Sequence, residues 1–309
     1  MNFAAFLPAV VGVTFAMPAL SATVLPPLTL PAPEQNAWTG DASSLEETSV
    51  PPAVATKSFD ITLSYGSGLT ESQKTAFTLA ETFWESVITG YRTLFYDPAD
   101  PGFNGPVITA QGVSIDGVNG ILGQAGPSTV YFVGSSIYTA TGLMSFDTAD
   151  LSAMEAKGSL TEIIIHEMAH VLGFGTLWGI TYQGKAYNTF YSYGTSRYYG
   201  TYALDAYRSE CDAGASHVPV ETDGGSGTAY SHWDESWACG RDELMTGWLD
   251  SPTTISLTTI AAFDDLGYYT DLSSWVGSGT VPLPGALPLM LSGCAAVAVL
   301  RLRRRRRLA

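Results

Sequence analysis

The 309-residue sequence is poor in basic residues, with 14 Lys and Arg against 29 Asp and Glu. Six of these basic residues are arginines within the last nine positions, and no acidic residue follows Asp271. The rest of the chain therefore carries 29 acidic against 8 basic residues, a formal charge of −21. Such a charge argues against nucleic acid and anionic lipid surfaces as partners. It fits a soluble protein that works outside the cytoplasm.

Cysteine is also scarce. Cys294 lies in the apolar C-terminal tail, which leaves Cys211 and Cys239 as the only pair in the body of the chain. In an exported protein such a pair is expected to form a disulfide, with two free buried thiols as the alternative. Residues 23–57 contain no cysteine and are rich in Pro, Ala, Ser and Thr. We interpret them as a linker or short pro-segment that builds no core and offers no thiolate to block a metal.

Both ends of the chain have the pattern of targeting segments. Residues 1–22 are uncharged and end in small residues, which is typical of a secretory signal peptide; a disordered apolar N-terminus is the alternative. Val281 to Leu300 is an uncharged run of twenty residues, long enough to cross a bilayer, and arginines follow it directly. Because such arginines stay in the cytoplasm, the body of the chain is expected on the other side.

The stretch from Phe59 to Asp150 predicts one strand, one helix and then several short strands. Apolar and polar residues alternate from Phe59 to Tyr65, and Thr70 is placed to cap a helix. The predicted buried face of that helix consists of Phe77, Ala80, Trp84, Val87 and Ile88. The later strands are predicted at Val113–Ile115, Thr129–Val133 and Ala140–Phe146.

The second half of the chain begins with another predicted helix, which starts at Ser159. Residues 174–230 show no long helical period, and Tyr191 to Tyr202 predicts an exposed hairpin. A last helix is predicted from Ser256 to Leu266, with Gly267 as its end. Strands followed by helices indicate an α+β domain, which we place at residues 58–271. Residues 272–309 then form a C-terminal anchor or sorting segment.

The helix that starts at Ser159 carries the most informative motif, His166-Glu167-Met-Ala-His170. Ser159 and Glu162 have the spacing of a capping box, and Gly173 is expected to end the helix. Histidines four residues apart project from one helix face and can bind a single cation, while Glu167 can reach a water on it. The flanks are so apolar that the helix must be buried, and unpaired buried polar groups cost about 1–3 kcal/mol each. A zinc ion would explain why they are there.

A catalytic zinc needs a third protein ligand and one open position. Thr176 stands three residues after Gly173, where the compact zinc-hydrolase signature has its third histidine, so the short form is absent. His217 and His232 are the remaining histidines. We predict His232, because a glycine-rich turn precedes it, and keep His217 as the alternative ligand.

The motifs together resemble the leishmanolysin family of metzincin metallopeptidases. The resemblance rests on the helix motif through Gly173, a long insertion, Ser231-His-Trp233, and Glu243-Leu-Met-Thr-Gly247. It implies a metzincin-like fold with a mostly-β N-terminal sheet, the active-site helix, and a loop-rich C-terminal part. It further implies His166, His170 and His232 as zinc ligands, Glu167 as general base, Met245 in a methionine turn, and a peptide substrate. Few cysteines and no cysteine-bearing pro-domain make the chain similar to a bacterial relative.

The C-terminal tail has a resemblance of its own. Val281-Pro-Leu-Pro284, the apolar span and the arginine run resemble bacterial sorting signals of the PEP-CTERM type. This implies recognition by a membrane-embedded sorting protease, with a plain membrane anchor as the alternative.

These observations predict an exported zinc endopeptidase, periplasmic, cell-surface or extracellular. Two alternatives stay open: a non-catalytic surface or matrix adhesion protein that uses the metal for structure, and a metal-dependent hydrolase of a non-peptide bond.

Overall fold

The structure is a computed structural model that describes residues 59–92, 104–224, 228–240, 242–248, 253–271 and 281–282. Its helices are α1 (Glu71–Val87), α2 (Leu151–Lys157), α3 (Leu160–Leu172), α4 (Thr201–Glu210) and α5 (Leu257–Leu266). Its longer strands are β1 (Thr62–Tyr65), β2 (Ile88–Tyr91), β3 (Val107–Val113), β4 (Gly123–Val133) and β5 (Ser136–Asp147). Shorter strands follow: β6 (Ile180–Tyr182), β7 (Lys185–Tyr187), β8 (Arg197–Tyr198), β9 (Val218–Pro219), β10 (Thr254–Ile255), β11 (Tyr268–Thr270) and β12 (Val281–Pro282).

The N-terminal half is built on a four-stranded sheet in the order β1-β3-β5-β4. β1, β3 and β5 run parallel, and β4 is an antiparallel edge strand paired with β5. Helix α3 packs directly on this sheet, since a Cβ at Gly142 of β5 would stand 2.2 Å from Cγ1 of Val171. Mixed α and β structure with helices on a sheet fits the predicted metzincin-like class.

The first helix agrees with its prediction, except that it ends at Val87 and Ile88 begins β2. Thr70 and Gln73 form a complete capping box, and all five predicted core residues are buried. Trp84 also donates its indole N–H to the carbonyl of Ile165 at 3.0 Å, which ties α1 to the middle of α3. Helix α1, which the sequence predicts, therefore supports α3, the helix that carries the histidine motif.

The start of α3 corrects the sequence prediction. A helix does begin after Ser159, but the predicted Ser159–Glu162 capping box is wrong. Helix α2, which was not predicted, leads into Ser159 through the left-handed Gly158, so Ser159 adopts helical angles and makes no side-chain cap. Glu162 instead accepts a hydrogen bond from Thr253 at 3.2 Å. The predicted end at Gly173 is confirmed, with φ of 116°.

Two further predictions fail because long-range contacts set the local structure. The strand predicted at Val113–Ile115 ends at Val113, since the following backbone N–H groups donate to the carboxylate of Asp147. The hairpin predicted at Tyr191–Tyr202 is reduced to one bridge between Tyr191 and Tyr198.

Helix α4 replaces the end of that predicted hairpin. The carboxylate of Asp265 in α5 accepts the backbone N–H groups of Tyr202 and Ala203 at 2.9 and 3.0 Å. The residue that caps α4 therefore lies 62 residues after Ala203 in the chain, and no local sequence pattern predicts it. Helix α5 is confirmed, with Ser256 as its cap and Gly267 as its end.

The predicted segments at the chain ends lie outside the described residues. These are the signal peptide at 1–22, the linker at 23–57 and the tail at 272–309, of which only Val281–Pro282 is described, paired with β10. Within the part of the chain that the structure describes, no helix combines the length and apolarity that a membrane crossing needs.

Candidate metal centre

Three fully buried imidazoles meet at one point. His166 and His170 project from α3, and His232 approaches from the segment after residues 225–227. Each of the three Nε2–Nε2 distances is 3.1 Å. Helical spacing explains the first pair, because residues four apart stand one turn above each other. The structure thus brings together the three histidines that the sequence singled out.

The other ring nitrogen of each histidine faces a backbone carbonyl. The Nδ1 contacts are His166 to Leu244 at 2.6 Å, His170 to Phe174 at 2.9 Å, and His232 to Thr228 at 2.9 Å. A carbonyl oxygen only accepts, so each Nδ1 carries the proton and each Nε2 presents a lone pair. Three lone pairs that point at one another form a site that attracts a cation. A buried histidine cluster that binds no cation would have no need for this arrangement.

The donor set fits zinc. Two nitrogens of a tetrahedral zinc with bonds of about 2.0–2.1 Å stand roughly 3.3–3.4 Å apart, close to the observed 3.1 Å. Burial lowers the pKa of His170 to about 4 and of His232 to about 3, and lowers that of His166 well below its ordinary value. All three imidazoles are therefore neutral near pH 7, which is the form that binds metals. Three protein ligands leave a fourth position, as in catalytic zinc sites.

Glu167 follows His166 in α3 and is in an unusual state for a carboxylate. It is 1% exposed, and neither of its oxygens has a hydrogen-bond partner among the described residues. Burial raises its pKa to about 8. Burying a carboxyl without a hydrogen-bond partner costs free energy of folding. The presence of Glu167 at this position therefore indicates a partner from outside the protein, such as a water or substrate.

The segment that carries His232 comes close to the backbone that follows α3. Gly175 has a φ of 70°, and a Cβ there would stand 2.2 Å from the carbonyl oxygen of Ser231. On the other side, Glu221 N donates to the His232 carbonyl at 3.0 Å. Only glycine permits both the left-handed backbone and the close approach, so Gly175 sets how near His232 can come.

A disulfide joins Cys211 and Cys239, as predicted. The two cysteines are 28 residues apart in sequence, with Cα atoms 4.9 Å apart, and His232 lies inside the loop that they close. Linking the ends of this loop limits the positions that His232 can reach in the unfolded chain.

Met245 is fully buried in the turn from Glu243 to Thr246. Its carbonyl accepts from Trp233 N at 2.9 Å, and the preceding Leu244 carbonyl is the acceptor for His166. The turn thus contacts two of the three histidine segments.

His217, the alternative ligand, and Thr176, at the position of the compact signature's third histidine, lie outside the histidine group. His217 contacts the hydroxyl of Ser216 and the ring of Tyr199, and it is not in the histidine group. Thr176 donates its hydroxyl to the His170 carbonyl at 2.6 Å, so it closes the end of α3.

Sequence reasoning missed a group of carboxylates in the segments next to His232: Glu221, Asp234 and Glu235. Glu221 is buried and accepts the backbone N–H groups of Thr222 and Asp223, both at 2.7 Å. Burial, together with the hydrogen bond and charge of Glu221, raises the pKa of Glu235 to about 8. The two glutamates therefore share a proton near pH 7. Their spacing along the chain gives no signal that they meet.

Comparison with known families agrees with this geometry. The family model of peptidase M8, leishmanolysin, matches residues 125–274. The match supports a leishmanolysin-like metallopeptidase. Its span covers the three histidines, Glu167 and the Glu243–Thr246 turn, but only the last two strands of the four-stranded sheet. A search of curated proteins finds no match.

Proposed function

We propose that the protein is a zinc-dependent endopeptidase in which His166, His170 and His232 bind the metal and Glu167 is the general base. The observation that supports this most strongly is the pairing of two features. Three imidazole lone pairs converge at 3.1 Å, and the residue that follows His166 in α3 is a buried carboxylate without a hydrogen-bond partner among the described residues. A zinc ion supplies a Lewis acid that polarises a carbonyl and activates water.

Glu167 performs the proton transfers. Its carboxylate accepts the proton of the attacking water and then donates that proton to the leaving amine. A pKa that burial raises makes this carboxylate a stronger base than an exposed glutamate, which favours the first transfer. Burial also keeps bulk water away from the proton while it is held.

The edge strand β4 supports a peptide as substrate. Among the described residues no strand pairs with its outer edge. Its first residue, Gly123, lies against Glu167, since a Cβ there would stand 3.4 Å from Cγ of Glu167. An extended peptide can add to a free strand edge through main-chain hydrogen bonds, which would carry its backbone past the base.

Met245 is proposed as the methionine of a turn beneath the metal. The support is its complete burial and the contacts of its turn with the His166 and His232 segments. In this role its side chain fills the space under the ligands, and the turn's carbonyls do the positioning.

The proposed location is outside the cytoplasm: periplasmic, cell-surface or extracellular. The Cys211–Cys239 disulfide supports an oxidising compartment. The apolar C-terminal segment with its arginine run supports at least transient membrane attachment and recognition by a sorting protease.

The test uses the full chain, its Glu167→Gln variant, zinc analysis and a casein or gelatin assay. We expect one zinc per chain in both proteins, and at least ~100-fold lower peptidase activity in the variant, since the change removes proton transfer but no ligand. Activity within a few-fold of the unsubstituted protein would remove Glu167 from the mechanism.

The same assay separates the alternatives. Zinc without any peptidase activity would favour a metal-stabilised adhesion protein or a hydrolase of another bond. The unpartnered carboxyl of Glu167 weighs against the adhesion protein, because a purely structural site has no use for it.

A further inference from the structure

Glu243 is a buried carboxylate that accepts four hydrogen bonds. It is 3% exposed. One of its oxygens accepts from the backbone N–H of Ser256 at 3.1 Å, the Ser256 hydroxyl at 2.9 Å and the Thr259 hydroxyl at 2.5 Å. Its other oxygen accepts from Met245 N at 2.6 Å. The carboxylate thus connects the start of α5 to the turn that Glu243 itself begins.

These bonds fix the turn that orients His166. Thr246 donates its N–H and its hydroxyl to the Glu243 carbonyl at 3.3 and 2.9 Å, which closes the turn. Between them, the Leu244 carbonyl stands 2.6 Å from Nδ1 of His166. The direction of this carbonyl decides both the tautomer and the ring orientation of His166.

The same network reaches the segment of His232. Trp233 N donates to the Met245 carbonyl at 2.9 Å, and the Trp233 indole N–H donates to the Thr259 hydroxyl at 2.8 Å. That hydroxyl donates in turn to Glu243. Glu243 therefore holds two acceptors, the Met245 carbonyl and the Thr259 hydroxyl, that anchor the residue next to His232.

Capping of α5 does not explain this arrangement. The Ser256 hydroxyl already accepts from Thr259 N at 3.0 Å. Glu210 accepts the N–H groups of Leu257 and Thr258 at 3.1 and 2.7 Å. The start of α5 is thus capped without Glu243, whose bond to Met245 N joins it to the turn that contacts His166.

We propose that Glu243 is a positioning residue of the metal centre, which holds His166 through the Leu244 carbonyl and His232 through Trp233. The proposal rests on the proposed function only in requiring that the three histidines bind zinc. It predicts that loss of the Glu243 carboxylate weakens zinc binding although Glu243 contacts no metal. Partners of metal ligands typically contribute about 10–100-fold to metal affinity or activity.

The test compares Glu243→Gln with Glu210→Gln in the full chain. Both substitutions remove a carboxylate at the same end of α5, but only Glu243 reaches the turn, which makes Glu210→Gln the matched control. Zinc dissociation constants are measured by chelator competition, and thermal midpoints are measured on the zinc-free proteins. We expect about 10–100-fold weaker zinc binding in Glu243→Gln and less than about threefold change in Glu210→Gln. The absorption spectrum of the cobalt-loaded protein should change only in Glu243→Gln.

Thr259 supplies a second pair of variants, informative even where Glu243→Gln does not fold. Thr259→Val removes the hydroxyl that joins Glu243 to Trp233 and should weaken zinc binding, whereas Thr259→Ser keeps the hydroxyl and should restore affinity close to that of the unsubstituted protein.

Unchanged zinc affinity in both Glu243→Gln and Thr259→Val would overturn the positioning role and leave Glu243 as a structural link between the turn and α5. An unsubstituted protein that binds no zinc would overturn this role and the proposed function together. Zinc binding without peptidase activity would overturn the proposed function alone.

Discussion

The two parts of the candidate metal centre are built in opposite ways. His166 and His170 stand on α3, a regular helix whose spacing alone makes them neighbours. His232 lies in a segment that forms neither a helix nor a strand. That segment is placed by a disulfide, by backbone contact at Gly175, and by the Glu243–Thr246 turn. Helix geometry thus places two of the proposed ligands locally, while the position of the third depends on contacts between distant parts of the chain. Damage to those contacts should affect zinc binding through His232 and leave α3 intact.

The largest effect on stability is expected from removing the disulfide with Cys211→Ser and Cys239→Ser together. Opening a 28-residue loop costs about 3–4 kcal/mol in the chain-entropy model. Denaturant unfolding measures this loss, and chelator competition should show weaker zinc binding, because the freed loop carries His232. A double variant as stable as the parent would mean that the noncovalent contacts alone hold the loop.

A comparable effect on stability is expected from Gly175→Ala, with Gly184→Ala as its control. Both glycines have left-handed φ, 70° and 78°, but only the Gly175 position is crowded, by the Ser231 carbonyl at 2.2 Å. The control should lose roughly 1–2 kcal/mol from backbone strain, and Gly175→Ala about 1–3 kcal/mol more from overpacking. Only Gly175→Ala should also weaken zinc binding. Equal losses in unfolding free energy and equal zinc affinities would contradict a role for Gly175 in placing His232.

The smallest effect concerns pH and the Glu221–Glu235 pair in the segments flanking His232. Because the folded-state pKa of Glu235 is raised to about 8, the folded protein holds a proton that the unfolded chain releases near pH 4.5. This group therefore lowers stability as pH rises from about 5 to 8. Glu235→Gln should equal the parent near pH 5 and become more stable than it toward pH 8, both at saturating zinc.

The control for that comparison is Glu71→Gln on the exposed start of α1, which removes a negative charge without touching the pair. A stability difference for Glu235→Gln that stays constant across this pH range would show that the two carboxyls do not share a proton.

The same contrast explains how far the sequence could be interpreted. Helix α3, its end at Gly173, the buried face of α1 and the end of α5 at Gly267 follow from local patterns, and the structure agrees with them. Helix α4 was missed because its cap, Asp265, lies in another helix. The Ser159 cap was wrong because α2 leads directly into α3.

At the metal centre the limit is similar. Sequence motifs singled out all three histidines, Glu167 and Met245, and the structure brings the histidines together. Nothing in the spacing of Glu243, Leu244 and Thr259 indicated that they would orient those ligands. Their contacts with His166 and Trp233 exist only once the chain has folded.

The most direct measurement is zinc content after dialysis against a mild chelator, for His232→Ala and His217→Ala in parallel. Removing one of three imidazoles should strongly weaken zinc binding, whereas His217, in contact with Ser216 and Tyr199, should be dispensable. We expect His232→Ala to lose its zinc and His217→Ala to keep one zinc per chain. Retained zinc in His232→Ala together with loss in His217→Ala would contradict a centre assembled from α3 and the His232 segment.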